Sequence, residues 1–174
     1  MRRRLLLAGA AFAFAAGASA ADLAAPNMNV VSPTLVTAGQ PTAAALASLG
    51  AQGFGAVIFF APPTERGVVK EEEEILARQG IAFVTLKLDF ERPTEPDYDA
   101  FAAAMAAQAG KKVLVHCQIN LQASSMVFLH RVIVGKEDPD AAYQPVARVW
   151  SPPAAWKRFI AGTLRSRGVS FEPY

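Results

Sequence analysis

The chain has very few of the residues that form cross-links or bind metals. Its 174 residues include one cysteine, Cys117, and two histidines, His116 and His130. A single cysteine excludes a disulfide within the chain, so its thiol is reduced, paired with another molecule or used chemically. With so few ligand residues we expect no zinc or iron site and no cofactor. His130 is interpreted as a boundary residue of a helix, not as a ligand.

Long apolar runs are absent after the first 20 residues. Residues 1–4 are basic, residues 5–17 are apolar, and Ala18-Ser19-Ala20 provides small residues for cleavage. This pattern is typical of a secretory signal peptide, and the apolar run is shorter than the roughly 18 residues that a spanning helix needs. An uncleaved membrane anchor is the alternative. We predict export, with a periplasmic location, and one domain over residues 21–174 without a membrane contact after cleavage.

A strong excess of positive charge is also absent from the predicted mature chain. The sequence has 17 Lys and Arg against 15 Asp and Glu, but three of the arginines belong to the leader. Without them 14 basic residues face 15 acidic ones, which gives a formal charge of −1. Nucleic-acid binding would require a basic surface, so we do not expect a nucleic-acid partner.

Strands alternate with helices along the sequence. Apolar runs predict strands at about 30–31, 34–38, 56–60, 81–88 and 113–115, and helical patterns predict helices at about 41–52, 68–79, 97–109, 124–134 and 152–168. Residues 21–32 are otherwise expected to be loose, and residues 138–143 form either a short helix or a polar connector. The carboxylates of residues 71–74 are interpreted as the solvated face of a helix, and Trp150 and Trp156 as core. The alternation predicts an α/β fold with a central, mostly parallel sheet flanked by helices.

The stretch KKVLVHCQINLQASS, residues 111–125, holds the cysteine where an apolar strand gives way to a polar loop. An apolar helix pattern begins at Ser124, so Cys117 is expected between a strand and a helix N-terminus. Backbone N–H groups and the positive end of the helix dipole stabilise a thiolate there and bind a tetrahedral anion. The alternative is an inert buried thiol, which the surrounding His-Cys-loop-Ser pattern disfavours.

These residues resemble the cysteine-dependent phosphatases of the tyrosine and dual-specificity type. Such proteins have Val-His-Cys at the end of a strand, a loop with a small residue at its middle, an arginine, and Ser or Thr opening a helix. Val115-His116-Cys117 and Ser124 match this pattern. Asn120 stands at the mid-loop place usually held by glycine, and asparagine tolerates positive φ better than most residues. The resemblance implies a protein-tyrosine-phosphatase-like fold.

More closely, the chain looks like a bacterial phosphatase-like branch with four residues between the cysteine and the arginine. Gly39-Gln40-Pro41-Thr42, the strand at 53–58 and Trp150-Ser151-Pro152 share that likeness. At the position of the arginine, however, this chain has Gln122, and Ala123 follows. A neutral amide cannot replace a guanidinium that binds phosphoryl oxygens and neutralises their charge.

The resemblance implies roles for individual residues. Cys117 would be the nucleophile, and Ser124 would donate a hydrogen bond to its sulfur and ease its departure. Asp89, on the loop after the preceding strand, would be the general acid, with Glu91 and Asp97 as rivals; Asp97 is better explained as a helix-capping carboxylate. His116 would hold the loop and favour the thiolate. The residues that would contact the substrate are His116, Gln118, Ile119, Asn120, Leu121, Gln122 and Ala123.

The sequence thus predicts a hydrolase of phosphate monoesters that works through a cysteinyl-phosphate and is weakened or inactivated by Gln122. The expected partner is a phosphorylated protein, with phosphotyrosine favoured, or a small phosphate monoester. One alternative is a non-catalytic phosphate- or phosphoprotein-binding pseudophosphatase. Another is redox or sulfur chemistry at Cys117, which would need a partner thiol because the chain has no resolving cysteine.

Overall fold

The computed structural model describes residues 23–62 and 67–174. The predicted signal peptide at residues 1–20 lies outside these residues. The described elements, in chain order, are β1 (Asn29–Ser32), β2 (Leu35–Ala38), α1 (Ala43–Ala47), β3 (Phe54–Ala61), α2 (Glu72–Ala77), β4 (Ala82–Lys87), α3 (Glu95–Ala107), β5 (Lys112–His116), α4 (Leu121–Ile133), α5 (Pro139–Val149) and α6 (Ala154–Arg165).

The strands form one five-stranded sheet in the order β1-β2-β5-β3-β4. Only β1 is antiparallel to its neighbour, and β2, β5, β3 and β4 are parallel. The predicted α/β fold with a mostly parallel sheet is therefore confirmed. All four parallel strands end at the same edge, which brings Gly39, Pro62, Leu88 and Cys117 together in one region of the molecule. Ligands of open α/β sheets bind at such an edge.

Helices cover both faces of the sheet, which explains the continuous apolar runs of its central strands. On β5, Val113 and Val115 belong to a cluster with residues of α3, α4, α5 and α6. Leu114 points the other way, into a cluster with residues of α1 and α2. No helix within residues 23–62 and 67–174 is long and apolar enough to span a membrane.

The start of the described chain is more ordered than the sequence suggested. Residues 23–28 were expected to be loose, but Leu23 is buried. The carbonyl oxygen of Ala24 accepts a hydrogen bond from the N–H of Thr42, and that of Pro26 accepts one from Gly39. The segment is held mainly by its backbone, which has no signature in side-chain patterns.

The helices predicted at 41–52 and 68–79 are shorter in the structure, at Ala43–Ala47 and Glu72–Ala77, and two further helices extend beyond their predicted bounds. The ambiguous residues 138–143 begin α5, an 11-residue helix with Asp138 as its N-cap. α4 begins at Leu121, three residues before the predicted start at Ser124. Consequently Gln122 and Ser124 lie in the first turn of α4, and the loop after β5 comprises only residues 117–120.

Candidate active site

The thiol of Cys117 lies at the junction between the sheet and α4. Its backbone N–H donates to the carbonyl of Ala38 at the end of β2 (3.3 Å), and its side chain is 1% exposed. The first N–H groups of α4 have no partner within that helix and point toward the loop that carries the thiol. This arrangement places the thiol loop at a helix N-terminus, a geometry that is able to bind an anion.

The middle of the loop is fixed by two asparagines. Asn120 has a φ of 71°, the left-handed conformation that asparagine tolerates. Its amide donates to the carbonyl of Asn27 and to the hydroxyl of Thr37, and the amide of Asn27 donates to the carbonyl of Ile119. The side chain of Asn120 therefore holds the loop from behind and faces away from any substrate.

The loop also lies directly against the chain that follows β2. The N–H of Gln40 donates to the carbonyl of Gln118 (3.0 Å). A Cβ atom at Gly39 would lie 2.8 Å from that carbonyl oxygen and 2.9 Å from the Cβ of Pro26. Only glycine permits this approach. The close packing therefore explains the glycine of the Gly-Gln-Pro-Thr sequence.

Behind the thiol, His116 contacts a buried carboxylate. Its Nε2 lies 2.8 Å from Oε1 of Glu72, without the alignment of a hydrogen bond, and both side chains are nearly inaccessible. Gln40 donates to the other oxygen of Glu72 (2.8 Å), and the ring of Phe59 stacks on the imidazole. The interpretation of residues 71–74 as a solvated face is therefore wrong for Glu72, because the first turn of α2 packs against the end of β5.

The thiol opens into a cleft of about 660 Å³. Its lining residues are Pro62, Leu88, Asp89, Phe90, Glu91, Cys117, Gln118, Ile119, Leu121 and Gln122. Six of the predicted site residues are among them: Asp89, Cys117, Gln118, Ile119, Leu121 and Gln122. The other four, His116, Asn120, Ala123 and Ser124, are buried behind the lining.

The cleft contains carboxylates but no cation among the described residues that line it. Asp89 and Glu91 contribute acidic groups, and Gln122, only 9% exposed, contributes a neutral amide. The described residues contain no group of three or more His, Cys, Asp and Glu side chains that would hold a metal ion. The described lining of the cleft is therefore acidic and neutral, with no cation among its side chains.

Asp89 is held in its ionised form by its own loop. The Nε of Arg92 donates to one carboxylate oxygen (2.9 Å), and the N–H of Glu91 donates to the other (2.9 Å). The hydrogen bond from Arg92, followed by that from Glu91, lowers the pKa of Asp89 below its ordinary value. Its rival Asp97 accepts from the N–H and hydroxyl of Thr94 in a capping box and does not line the thiol cleft.

Ser124 bonds elsewhere than the resemblance implies. Its hydroxyl donates to the carbonyl of Leu121 (3.1 Å), and its N–H donates to the carbonyl of Asn120. These are contacts of the first helical turn. A hydrogen bond to the sulfur of Cys117 would require the hydroxyl to rotate away from Leu121.

The sequence did not indicate which residues hold the loop that carries Asp89. The indole N–H of Trp156 donates to the carbonyl of Phe90 (2.8 Å), and the ring of Phe90 packs against Trp150 and Trp156. Both tryptophans were interpreted simply as core residues. The signal was the Trp-Ser-Pro likeness to the phosphatase-like branch, which now has a physical reason: these rings position the loop that carries Asp89.

No protein-family model and no curated protein matches this sequence. Solved structures do match the fold. A DUF442 protein from Shewanella putrefaciens CN-32, described as a phosphatase, superposes with a TM-score of 0.75 at 24% identity, over 83% of this chain and 95% of its own. The catalytic core of the PP-IP phosphatase SIW14 from S. cerevisiae gives 0.66 at 14% identity, over 80% and 86%.

A third similar structure is P. aeruginosa TpbA, as a cysteine-to-serine variant in complex with pTyr. Its TM-score is 0.55 at 21% identity, over 69% of this chain and 71% of its own. The fold is thus that of the cysteine-dependent, tyrosine-phosphatase-like phosphatases, which confirms the resemblance found in the sequence.

Proposed function

We propose that this protein hydrolyses phosphate monoesters through Cys117 and that Gln122 makes it a weak enzyme. The observation that carries the proposal is the joint position of Cys117 and Asp89. The thiol lies below the N-terminus of α4, and the carboxylate lines the same cleft. The nucleophile, the anion cradle and an acid are thereby combined in a fold shared with known phosphatases.

In the proposed reaction the thiolate of Cys117 attacks phosphorus as the bond to the leaving oxygen breaks. Asp89 gives its proton to that oxygen, so the alcohol leaves neutral. Water then attacks the cysteinyl-phosphate while the Asp89 carboxylate takes its proton; the P–S bond breaks, inorganic phosphate leaves, and both the thiolate and the protonated Asp89 are restored. The backbone N–H groups of the cradle stabilise the equatorial oxygens in both steps.

The experiment is an aryl phosphate assay on the native chain, Gln122→Arg and Cys117→Ser. Restoring the guanidinium adds a preorganised charge at the transition state, so we expect Gln122→Arg to raise kcat/KM about 10²–10³-fold. Cys117→Ser should abolish turnover in either background. Without Cys117-dependent turnover in Gln122→Arg, the proposed reaction has no mechanism.

A matched control places the same charge elsewhere in the cleft. Gln118 is a second glutamine of the Cys117 loop and also lines the cleft. If the guanidinium acts through its position, Gln118→Arg should give a much smaller gain than Gln122→Arg. Equal gains from both variants would indicate general electrostatic attraction of the substrate.

A non-catalytic phosphate-binding module is the second candidate. It is favoured by the ion pair of Asp89, which keeps the acid deprotonated, and by the absence of a lining cation among the described residues. Binding without chemistry predicts thermal stabilisation by inorganic phosphate with no turnover in either the native chain or Gln122→Arg. Turnover in either of them excludes this candidate.

For the substrate we propose an aryl phosphate such as phosphotyrosine. Leu88, Phe90 and Ile119 give the cleft an apolar wall that suits an aromatic ring. A comparison of phosphotyrosine and phosphoserine peptides of one sequence tests this, with a higher kcat/KM expected for phosphotyrosine. The periplasmic location also remains a proposal, which cell fractionation and the mass of the mature N-terminus would test.

A further inference from the structure

We propose that Arg92 changes partners when a phosphate monoester enters the cleft: it leaves Asp89 and binds the phosphoryl oxygens in place of the arginine that Gln122 replaces. This inference rests on the proposed function and names a substrate-binding residue for it. The positive charge that the Cys117 loop lacks would then come from the turn that carries Asp89 and Arg92.

Two requirements of the reaction conflict with the resting contacts. A phosphate dianion placed beside Asp89 and Glu91 needs a cation, because the described lining residues include none. Asp89 needs a proton to act as an acid, yet Arg92 stabilises its ionised form. If the side chain of Arg92 moves from the carboxylate of Asp89 to the phosphate, both requirements are met at once.

The position of Arg92 suits this transfer. Arg92 follows Asp89 by three residues in a tight turn, closed by a hydrogen bond from its N–H to the carbonyl of Asp89 (3.1 Å). It lines a second cavity of about 500 Å³, and Pro62, Leu88 and Asp89 line both this cavity and the thiol cleft. The guanidinium therefore lies at the boundary of the cleft.

Little holds the side chain of Arg92 in its resting place. It is 85% exposed, and its Asp89 contact is an ion pair between near neighbours at the surface. Such pairs are weak in water, whereas a guanidinium binds phosphate oxygens through two parallel hydrogen bonds. The exchange replaces a weak contact with a stronger one.

Other described cations are less suited to this role. Arg131 is bonded to Glu137 and to the carbonyl of Ala142, and it lines a cavity between the ends of α3 and α4 instead of the cleft. Lys87 lines the second cavity without a contact to Asp89, so it is the rival that the experiment must include.

The first test measures thermal stabilisation of the intact protein by inorganic phosphate. Arg92→Ala should raise the apparent Kd for phosphate about tenfold, the value of one charge-assisted contact. Arg78→Ala is the matched control, because Arg78 also forms an exposed ion pair on its own helix and lines neither cavity. Equal affinities in the two variants, or a larger loss in Lys87→Ala than in Arg92→Ala, would overturn the proposal.

The second test measures aryl phosphate turnover in two backgrounds. Arg92→Ala should lower kcat/KM about tenfold in the native chain, and less than about twofold in Gln122→Arg, where a guanidinium is already in the cradle. Equal losses in both backgrounds contradict the exchange. Absence of Cys117-dependent turnover in Gln122→Arg contradicts the proposed function itself, and the phosphate affinities then still decide whether Arg92 binds the anion.

The pH profile of aryl phosphate turnover, compared between the native chain and Arg92→Ala, separates substrate binding from a purely structural role. The charged or titratable side chains that line a cavity together with Asp89 are those of Arg92, Glu91, Lys87, Asp97 and Cys117. Removal of Arg92 raises the pKa of Asp89 in the free protein, so the alkaline limb of kcat/KM should move to higher pH. The alkaline limb of kcat reports the pKa of Asp89 in the enzyme–substrate complex. In that complex Arg92 has already left Asp89, so this limb should not move. A parallel shift of both limbs shows that Arg92 stays on Asp89.

Discussion

The floor and the rim of the cleft are built in different ways. The floor, which is the Cys117 loop with its supports, is held by contacts from several separate segments, including those of Asn27, Gln40 and Glu72. The rim is the turn that carries Asp89 and Arg92. Its charged groups are exposed, and among residues 23–62 and 67–174 they bond only within the turn.

This difference explains why the architecture of the floor does not depend on an arginine at position 122. The shape of the anion cradle depends on backbone contacts and on buried polar groups behind it, none of which involves residue 122. Charge, by contrast, lies on the rim, which Trp150 and Trp156 hold through the carbonyl and the ring of Phe90. Under the proposed function, substitution at the rim should therefore change phosphate affinity without an effect on the fold.

The largest effect is expected from breaking the floor at Glu72. Glu72→Ala leaves the imidazole of His116 and the amide of Gln40 without a partner in the interior. We expect a loss of about 3 kcal/mol in the free energy of unfolding, measured by urea denaturation. Glu73→Ala is the matched control, since Glu73 is exposed one residue further along α2, and it should have little effect. Equal losses of unfolding free energy in the two variants would show that Glu72 contributes through α2 itself and not through its contacts with His116 and Gln40.

The difference between floor and rim also marks what the sequence could predict. Apolar periodicity was sufficient for the strands, the helices and the mostly parallel sheet, because burial of a regular element repeats along the chain. The position of Asp89 beside Cys117 was predicted from the resemblance, and the common edge at which parallel strands end gives it a physical reason. The resemblance also pointed to Asn120 at a mid-loop glycine position, and asparagine is one of the few residue types that tolerate its left-handed conformation.

Contacts between distant segments could not be predicted in this way. In the sequence Glu72 is one of four identical carboxylates, and only the packing of α2 against β5 distinguishes it from Glu73. The support of the loop by residues 24–27 uses backbone groups that every residue carries. The Asp89–Arg92 pair is local, but its effect on the acid becomes evident only once both residues are placed at the cleft.

An intermediate effect is expected at Gly39. In Gly39→Ala the added methyl group meets the carbonyl of Gln118 and the ring of Pro26, so the loop must shift. We expect a loss of about 2 kcal/mol in unfolding free energy together with weaker phosphate binding. Gly162→Ala is the control, because its Cβ has no neighbour within 4 Å, and alanine favours the helix by up to about 1 kcal/mol. A neutral Gly39→Ala would show that the floor tolerates displacement.

The smallest effect on stability is expected at the rim. The pKa of Asp89 is lowered in the folded protein, so its contribution is present above the ordinary value of 3.8 and fades as the pH falls through the lowered one. Because the group is exposed, water already screens the contact. Arg92→Ala should therefore change the melting temperature at pH 7 no more than Arg78→Ala does, although it weakens phosphate binding. A clear drop in the melting temperature for Arg92→Ala alone would mean that the rim is part of the fold, and the separation between a structural floor and a functional rim would not hold.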